Sequence, residues 1–169
     1  MNGVTVTSES TVTVNKSRVS KSEIKLATVD EMLAKATILF EEHYKEIARN
    51  KEVMKLKPDE KAYHKLEEAN RIFILSARQD DVLIGYSVNF VLNHPHYADL
   101  VLAQNDLLYI KKEMRGSRAG LKLIKQTETH AKSLGCKLML WHAKEDTTLA
   151  HMLPRLKYGV QDIIYSKEL

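Results

Sequence analysis

The chain of 169 residues is 44% hydrophobic and 28% charged, with a formal net charge of +4 at pH 7. This composition supports one buried core, and the length fits a single domain better than two. No apolar run approaches the ~20 residues that span a bilayer and no secretory signal opens the sequence, so we expect a cytoplasmic protein. The modest positive charge permits nucleic acid as a partner without requiring it. Cys136 is the single cysteine, which excludes an internal disulfide.

Residues 1–22 contain nine Ser and Thr residues and few large apolar side chains. They can bury little apolar surface, so we predict a Ser/Thr-rich tail. The alternation of Val and Thr over 4–7 and 11–14 also has the period of a strand, which leaves open an added edge strand or pairing across a homodimer. Residues 23–169 are predicted to form one domain.

The next elements begin with a short strand at 24–27. Thr28 follows it and stands three residues before Glu31, which is the spacing of a helix capping box. A second helix is predicted to start after Pro58. Two runs with the period of strands then flank a polar gap of hairpin length at 79–81.

A central strand is predicted at 106–110, after a loop from 94 to 103, because it carries apolar residues on both faces. A helix over 118–134 ends at Gly135, where a helix C-terminal glycine belongs. The remaining predicted elements are a strand at 137–143, a short helix from about 146 and a terminal strand around 163–165. This order predicts a mixed α/β (α+β) fold with a central β-α-β unit and helices on both faces of the sheet.

The turn at 115–120 joins the central strand to the following helix. Gly116 and Gly120 allow the backbone to approach a ligand closely, and the helix start supplies unpaired N–H groups. Arg115 and Arg118 add positive charge, which is unfavourable at a helix N-terminus unless an anion is bound there. The turn therefore predicts a pyrophosphate site. The P-loop and the three-glycine dinucleotide motif are both missing, which argues against nucleoside triphosphates and nicotinamide cofactors.

The sequence of this turn resembles the Arg/Gln-x-x-Gly-x-Gly/Ala loop of the GNAT superfamily, the acyl-CoA-dependent N-acetyltransferases. The similarity extends over about residues 24–168 as an order of secondary-structure elements. The chain is also similar to the small acetyltransferases of tailed phages, and this resemblance implies that the protein works in the cytoplasm of a host cell. The resemblance implies a largely antiparallel sheet, acetyl-CoA as cosubstrate without a metal, and acetylation of a primary amine on a small molecule or protein. It implies that coenzyme A contacts Leu108, Tyr109, Ile110, Arg115, Gly116, Ser117, Arg118, Ala119, Gly120 and Leu121.

Two positions depart from the family pattern. Arg118 replaces the middle glycine of the loop, so either the backbone there avoids positive φ or the arginine itself clamps phosphate. Leu153 stands where the family often has a tyrosine acid. A side chain that cannot donate a proton at this position favours an alternative function, a catalytically weak or inactive protein that binds coenzyme A and acts through protein interaction.

Three residues are candidates for proton transfer. Asp106 and His142 are candidate bases at the ends of neighbouring strands, and Tyr158 is a displaced candidate acid. Each also has a structural interpretation: Asp106 as a strand cap or a lysine partner, His142 as a partly buried hydrogen-bonded residue, and Tyr158 as core. His94 and His96 do not predict a closed metal site, because no further ligand is nearby in sequence. Modification of a nucleic acid remains a third, less favoured function.

Overall fold

A computed structural model describes residues 21–169 of the chain. Its strands are β1 (Glu23–Ala27), β2 (Ile72–Gln79), β3 (Val82–Asn93), β4 (Val101–Ile110) and β5 (Leu138–Trp141). They form one sheet in the order β1-β2-β3-β4-β5. The pairings from β1 to β4 are antiparallel, whereas β4 and β5 are parallel. The tail or edge strand predicted for residues 1–22 lies outside the described residues, except for its last two positions.

Helices cover both faces of this sheet, as the sequence predicts. They are α1 (Val29–Lys35), α2 (Thr37–Ile47), α3 (Glu60–Glu68), α4 (Ala119–Ser133) and α5 (Thr148–Arg155). Successive residues of a strand point to opposite faces, so Ile74 of β2 packs in a cluster with Val29 and Met32 of the first helix. The next residue, Leu75, packs with Leu123 of α4 on the other face.

The predicted helix starts are confirmed. The Thr28 hydroxyl accepts a hydrogen bond from the Glu31 N–H at 3.1 Å, and the Asp59 carboxylate caps α3 in the same way. The capping box is not reciprocal, however, because the Glu31 carboxylate instead binds Arg78 of β2. The helix predicted after Thr28 is divided at Ala36, where φ is −101° and ψ is 2°.

The central β-α-β unit is also confirmed. Helix α4 connects β4 to its parallel neighbour β5 and ends in a left-handed Gly135 with φ of 84°. The Gly135 N–H donates to Lys132 O and the Cys136 N–H donates to Ala131 O, a pattern that satisfies the last carbonyls of a helix. This glycine stop lets the chain reverse tightly into β5.

The terminal strand predicted around 163–165 is wrong. Ile163, Ile164 and Tyr165 are 71%, 76% and 89% exposed and belong to no strand. Their β-branched and aromatic side chains suit a strand, but a strand also requires a neighbour to pair with, and within residues 21–169 none pairs with them. Other predicted bounds shift by a few residues, since β4 already begins at Val101 and β5 ends at Trp141. No helix in the described part of the chain is long and apolar enough to cross a bilayer.

Candidate active site

The sheet divides where β4 and β5 stop pairing. Their ladder runs from Leu102 opposite Leu138 to Asn105 opposite Trp141. Strand β4 continues to Ile110, and its last four residues pair with β3 on one side only. We call this opening the fork. A fork exposes one row of strand backbone groups in the middle of a sheet, where such groups are normally paired.

A β-bulge lies at the vertex of the fork. In the pairing of β3 with β4, Val88 lies opposite Leu107 and Asn89 lies opposite Asn105, so Asp106 is one extra residue on β4. A bulge bends its strand and increases the local twist. The bulge therefore provides a physical reason for the divergence of β4 from β5 directly after Asn105.

The backbone of the last residues of β4 alternates between β3 and the fork. The Lys111 N–H donates to Ile84 O at 2.8 Å, and Tyr109 lies opposite Tyr86 in the same register. By the antiparallel alternation, the Tyr109 N–H also points to β3, whereas those of Leu108 and Ile110 point into the fork. The resemblance implies backbone contacts from Leu108, Tyr109 and Ile110 to coenzyme A. Of these three residues, Leu108 and Ile110 have N–H groups that point towards a ligand in the fork.

The start of α4 presents unpaired donors next to the fork. The N–H groups of Gly120 and Leu121 have no acceptor among residues 21–169, while the Ala119 N–H donates weakly to the Ser117 hydroxyl at 3.3 Å. Gly116 has a φ of 85°, a conformation that L side chains rarely adopt. Arg118, by contrast, has a φ of −78°, so an arginine replaces the family glycine there without backbone strain.

The two arginines of the turn differ in their partners. Arg115 donates to both carboxylate oxygens of Glu46 on α2, at 2.5 and 2.7 Å, and its Nε donates to Ile110 O at 2.9 Å. This pairing raises the pKa of Arg115 and lowers that of Glu46. Arg118 is exposed and has no ion pair among the described residues. The predicted phosphate-binding role of Arg115 therefore conflicts with its present contacts, and Arg118 is the arginine of the turn that is available to an anion.

Asp106 and His142 directly follow Asn105 and Trp141, the last paired residues of β4 and β5, so they stand on the two sides of the fork at its vertex. Burial by the surrounding protein raises the pKa of Asp106, and a charged His142 lowers it. The Asp106 charge in turn raises the pKa of Tyr63 on α3, after the larger effect of burial. Both Asp106 and His142 remain accessible to water. An exposed carboxyl whose pKa is raised by nearby protein is a candidate base that a substrate amine could reach.

Tyr158 is engaged elsewhere. Its hydroxyl donates to Glu128 of α4, and the Trp141 indole N–H donates to the same carboxylate oxygen at 3.2 Å. Burial, followed by the Glu128 interactions, raises the pKa of Tyr158. No contact joins Tyr158 to Asp106 or His142 in the described structure, and Leu153 is 9% exposed on α5. The structure thus places Asp106 and His142 on the two sides of the fork, whereas the Tyr158 hydroxyl is bonded to Glu128.

The sequence did not indicate the aromatic cluster beneath the end of β4. His43 of α2 is buried, its Nδ1 lies 2.8 Å from the Tyr86 hydroxyl, and its ring stacks on Tyr109 at 4.9 Å. Burial, the largest influence, lowers the pKa of His43 to about 4. The Tyr109 hydroxyl donates to Glu42 at 3.2 Å. The available signal was the position of His43 four residues after the buried Leu39, on the same helix face.

Gly85 of β3 is a second residue that the sequence did not single out. A Cβ added there would lie 2.4 Å from Tyr109 O and 2.4 Å from Ile110 Cδ1. Only glycine therefore permits β3 and the end of β4 to approach this closely. The signal was an isolated glycine inside a strand, which often marks close backbone approach.

A metal has no evident site among the described residues. No group of three or more His, Cys, Asp or Glu side chains within residues 21–169 is arranged to hold an ion. The His94 and His96 rings lie 5.9 Å apart, and His94 packs on Tyr97 at 4.5 Å. These two histidines stabilise a turn before β4.

A family model described as Acetyltransferase (GNAT) family matches residues 37–158 of the chain. The match includes the fork, the turn before α4 and the whole β-α-β unit. No curated protein is significantly similar to the chain.

Solved structures share the fold at low sequence identity. An aminoglycoside acetyltransferase, meta-AAC0020, from an uncultured soil metagenomic sample in complex with sisomicin has a TM-score of 0.68 at 18% identity, over 88% of this chain and 96% of that chain. A ribosomal-protein-alanine N-acetyltransferase from Brucella melitensis biovar Abortus 2308 has a TM-score of 0.63 at 18% identity, over 88% and 97%. A transcriptional regulator from Bacillus halodurans C-125 has a TM-score of 0.70 at 14% identity, over 88% and 100%.

Proposed function

The chain belongs to the acetyltransferase (GNAT) family, and we propose that it transfers an acetyl group from acetyl-CoA directly to a primary amine. The observation that carries this proposal is the fork, because it places unpaired strand N–H groups, a helix start and the exposed carboxylate of Asp106 around one opening. Acetyl-CoA supplies an activated acyl group as a thioester. The chain supplies binding, orientation and proton transfer.

The residues of the turn fit the diphosphate of coenzyme A. Gly116 allows close approach, and the N–H groups of Gly120 and Leu121 are unpaired among the described residues. Arg118 adds a charge that is free to form a short, charge-assisted hydrogen bond. We assign the electrostatic part of phosphate binding to Arg118 and assign Arg115 to holding the turn against α2 through Glu46.

The strand backbone fits the other end of the ligand. The Leu108 N–H points into the fork, where a thioester carbonyl can accept its hydrogen bond and gain stabilisation as negative charge develops on the oxygen. The Ile110 N–H lies two residues further along the same row, towards the turn. These contacts depend on backbone direction rather than on side-chain identity.

Asp106, assisted by His142, is the proposed base. A primary amine with a pKa of ~10.4 is almost wholly protonated at neutral pH, so it must lose a proton before it attacks. The neutral amine then forms a bond to the carbonyl carbon, the carbon–sulfur bond breaks, and its electron pair remains on sulfur. The first proton leaves the ammonium before the attack and passes to Asp106, directly or through water, and from there to solvent. A second proton leaves the nitrogen by the same route as the amide forms, and the thiolate takes a proton from solvent.

Similar proteins support an amine acceptor without identifying it. Two structural neighbours are named as acetyltransferases of aminoglycosides and of the alanine of a ribosomal protein, both of which offer amines. Both are 18% identical to this chain, and at this identity the similarity indicates a shared fold but does not identify the acceptor. A small-molecule amine and a protein amine are therefore both included in the proposal.

Release of free coenzyme A tests the proposal. Purified protein is incubated with acetyl-CoA and a panel of aminoglycosides, polyamines, amino sugars, lysine peptides and peptides with free N-termini, and thiol release is followed with Asp106→Asn as the control. The proposal predicts saturable release with at least one amine and strongly reduced release by the variant. Saturable binding of acetyl-CoA without turnover on any amine would instead support the alternative, a binding protein of the same fold.

That alternative rests on one observation. Leu153 is buried and cannot donate a proton, and the Tyr158 hydroxyl is held by Glu128, so neither the family's usual acid position nor the displaced candidate provides an acid at the fork. We favour the enzyme, because an expelled thiolate can be protonated by water, and because an accessible carboxylate with a raised pKa at the vertex of the fork is typical of a functional site.

A further inference from the structure

A cluster of buried polar side chains lies at the vertex of the fork. Asn105 is 1% exposed, and Ser87, Asn89 and Thr127 are fully buried. The cluster connects β3, β4 and α4, since the Thr127 hydroxyl lies 3.2 Å from the Ser87 hydroxyl and Asn105 Nδ2 lies 3.3 Å from it. None of these four residues has a place in the transfer chemistry described above.

Asn105 holds both strands at the bulge. Its Nδ2 lies 3.2 Å from Val88 O on β3 and 3.0 Å from Leu107 O on β4, the carbonyls of the two residues that pair directly beyond Asp106. The same atom lies 3.0 Å from Asn89 Oδ1. One carboxamide thus connects the two sides of the irregularity that directs Asp106 towards the fork.

The orientation of this carboxamide is fixed by its surroundings. Turning it over would place Oδ1, an acceptor, against the carbonyl oxygens of Val88 and Leu107. In the present orientation Oδ1 is buried and has no hydrogen-bond partner among the described residues. An unpaired buried acceptor is destabilising. Stability alone therefore does not account for an asparagine at this position.

We propose that Asn105 is a positioning residue for acetyl transfer. By bridging Val88 and Leu107 it sets the geometry of the bulge, and the bulge sets the direction of the Asp106 carboxylate and of the Leu108 N–H. Through Ser87 and Thr127 the same cluster connects the vertex of the fork to α4, whose first turn is assigned to the diphosphate. This inference rests on the proposed function, because it assigns Asn105 to the same site.

The test compares Asn105→Leu with Asn89→Leu. Both variants remove a buried amide from the cluster, but only the Asn105 amide contacts the Val88 and Leu107 carbonyls. Asn89 Nδ2 bonds Ser87 and the Phe73 carbonyl instead, and its Oδ1 is one of several acceptors near Asn105 Nδ2. We expect Asn105→Leu to lower kcat by about 10²-fold, the size expected for a misplacement of ~1 Å, with a smaller change in the KM for acetyl-CoA. Asn89→Leu should retain kcat within about threefold at a similar loss of thermal stability.

A second measurement does not depend on turnover. The ionisation of Asp106 can be followed by NMR through its carboxyl carbon, and Asn105→Leu should shift the midpoint of this titration whereas Asn89→Leu should not. Equal effects of the two variants on kcat and on the titration would overturn the proposal, since Asn105 would then be merely structural. If Asn105→Leu does not fold, Asn105→Ser and Asn89→Ser give the same comparison. A wild-type protein that lacks turnover but shows the selective Asp106 shift would refute the proposed function and keep the bulge-setting role of Asn105.

Discussion

The two halves of β4 belong to one strand but have different neighbours. In the first half, Val101–Asn105, the strand lies between β3 and β5. In the second half Asp106 is the unpaired bulge residue, and Leu107–Ile110 pair with β3 alone. The first half packs as a central strand. The second half carries the proposed base and the free backbone donors, so the site arises where the sheet stops being complete rather than from an added loop or domain.

The first test of the difference between the two halves of β4 removes the carboxylate of Asp106 at their junction. Asp106→Asn keeps the size of the side chain but cannot accept the proton of the amine. We expect kcat to fall about 10²- to 10³-fold, within the range for removal of a general base, while the Kd for acetyl-CoA stays nearly unchanged. Steady-state kinetics and calorimetry provide the two values. A variant with wild-type kcat would show that Asp106 is not the base.

Acidification should destabilise the second half of β4 at a higher pH than the first half. Burial lowers the pKa of His43, which stacks on Tyr109, to about 4, against about 6.5 in an unfolded chain. The unfolded state therefore binds more protons between these values, so this contribution to stability is complete above about pH 6.5 and is lost as the pH falls towards 4. The loss is at most about 3 kcal/mol.

Denaturant unfolding between pH 7 and pH 4 measures this effect, and hydrogen exchange locates it. His43→Gln, which keeps a hydrogen-bonding group near Tyr86, serves as the control and should show a weaker pH dependence over this interval. The same pH dependence in the variant and the wild type would assign the loss of stability to other groups.

A change in Gly85 should act on the second half through its backbone. Gly85→Ala places a methyl group 2.4 Å from Tyr109 O, and such overpacking destabilises a protein by about 1–3 kcal/mol. Gly120→Ala is a matched control, because its added methyl group meets Ile110 Cγ1 at an ordinary 3.7 Å. Thermal unfolding should rank the control as the more stable variant, and the reverse order would contradict the close approach of β3 and β4.

Variants of the two arginines of the turn test which of them supplies the positive charge that binds the diphosphate. We expect Arg118→Ala to raise the Kd for acetyl-CoA about tenfold, as loss of one charge-assisted hydrogen bond would, with a reduced dependence on salt. Arg115→Ala should change the Kd less, because Glu46 already holds its guanidinium. Calorimetry with both variants decides the assignment, and a larger effect of Arg115→Ala would reverse it.

The smallest expected effect concerns His142. A charged His142 lowers the pKa of Asp106, so His142→Ala should raise that pKa further. A base acts only when deprotonated, and the loss of activity on acidification should therefore begin at a higher pH in the variant. An NMR titration of Asp106 in the two proteins measures the shift, and a downward shift would contradict the proximity of the two residues.

Local signals predicted much of the fold. Thr28 and Gly135 mark a helix start and a helix end through contacts made within a few residues, and both predictions are confirmed. The basic turn before α4 was recognisable because strand, glycine and helix start follow each other directly in the sequence. Such features do not depend on distant parts of the chain.

The errors and omissions concern contacts between distant residues. The bulge at Asp106 is set by the register between two strands, and the Arg115 pair joins residues 69 positions apart. The wrong terminal strand around 163–165 has the same origin, because strand propensity does not supply a pairing partner. Position in the sequence could indicate that Asp106 and His142 lie on neighbouring strand ends, but not that the sheet opens between them.

Amide hydrogen exchange with and without acetyl-CoA is the decisive test of whether acetyl-CoA binds in the fork. We expect acetyl-CoA to slow exchange at Leu108, Gly120 and Leu121 and to leave the first half of β4, Val101–Asn105, nearly unchanged. Saturable binding with no protection at these three amides, or with equal protection along the whole of β4, would contradict it.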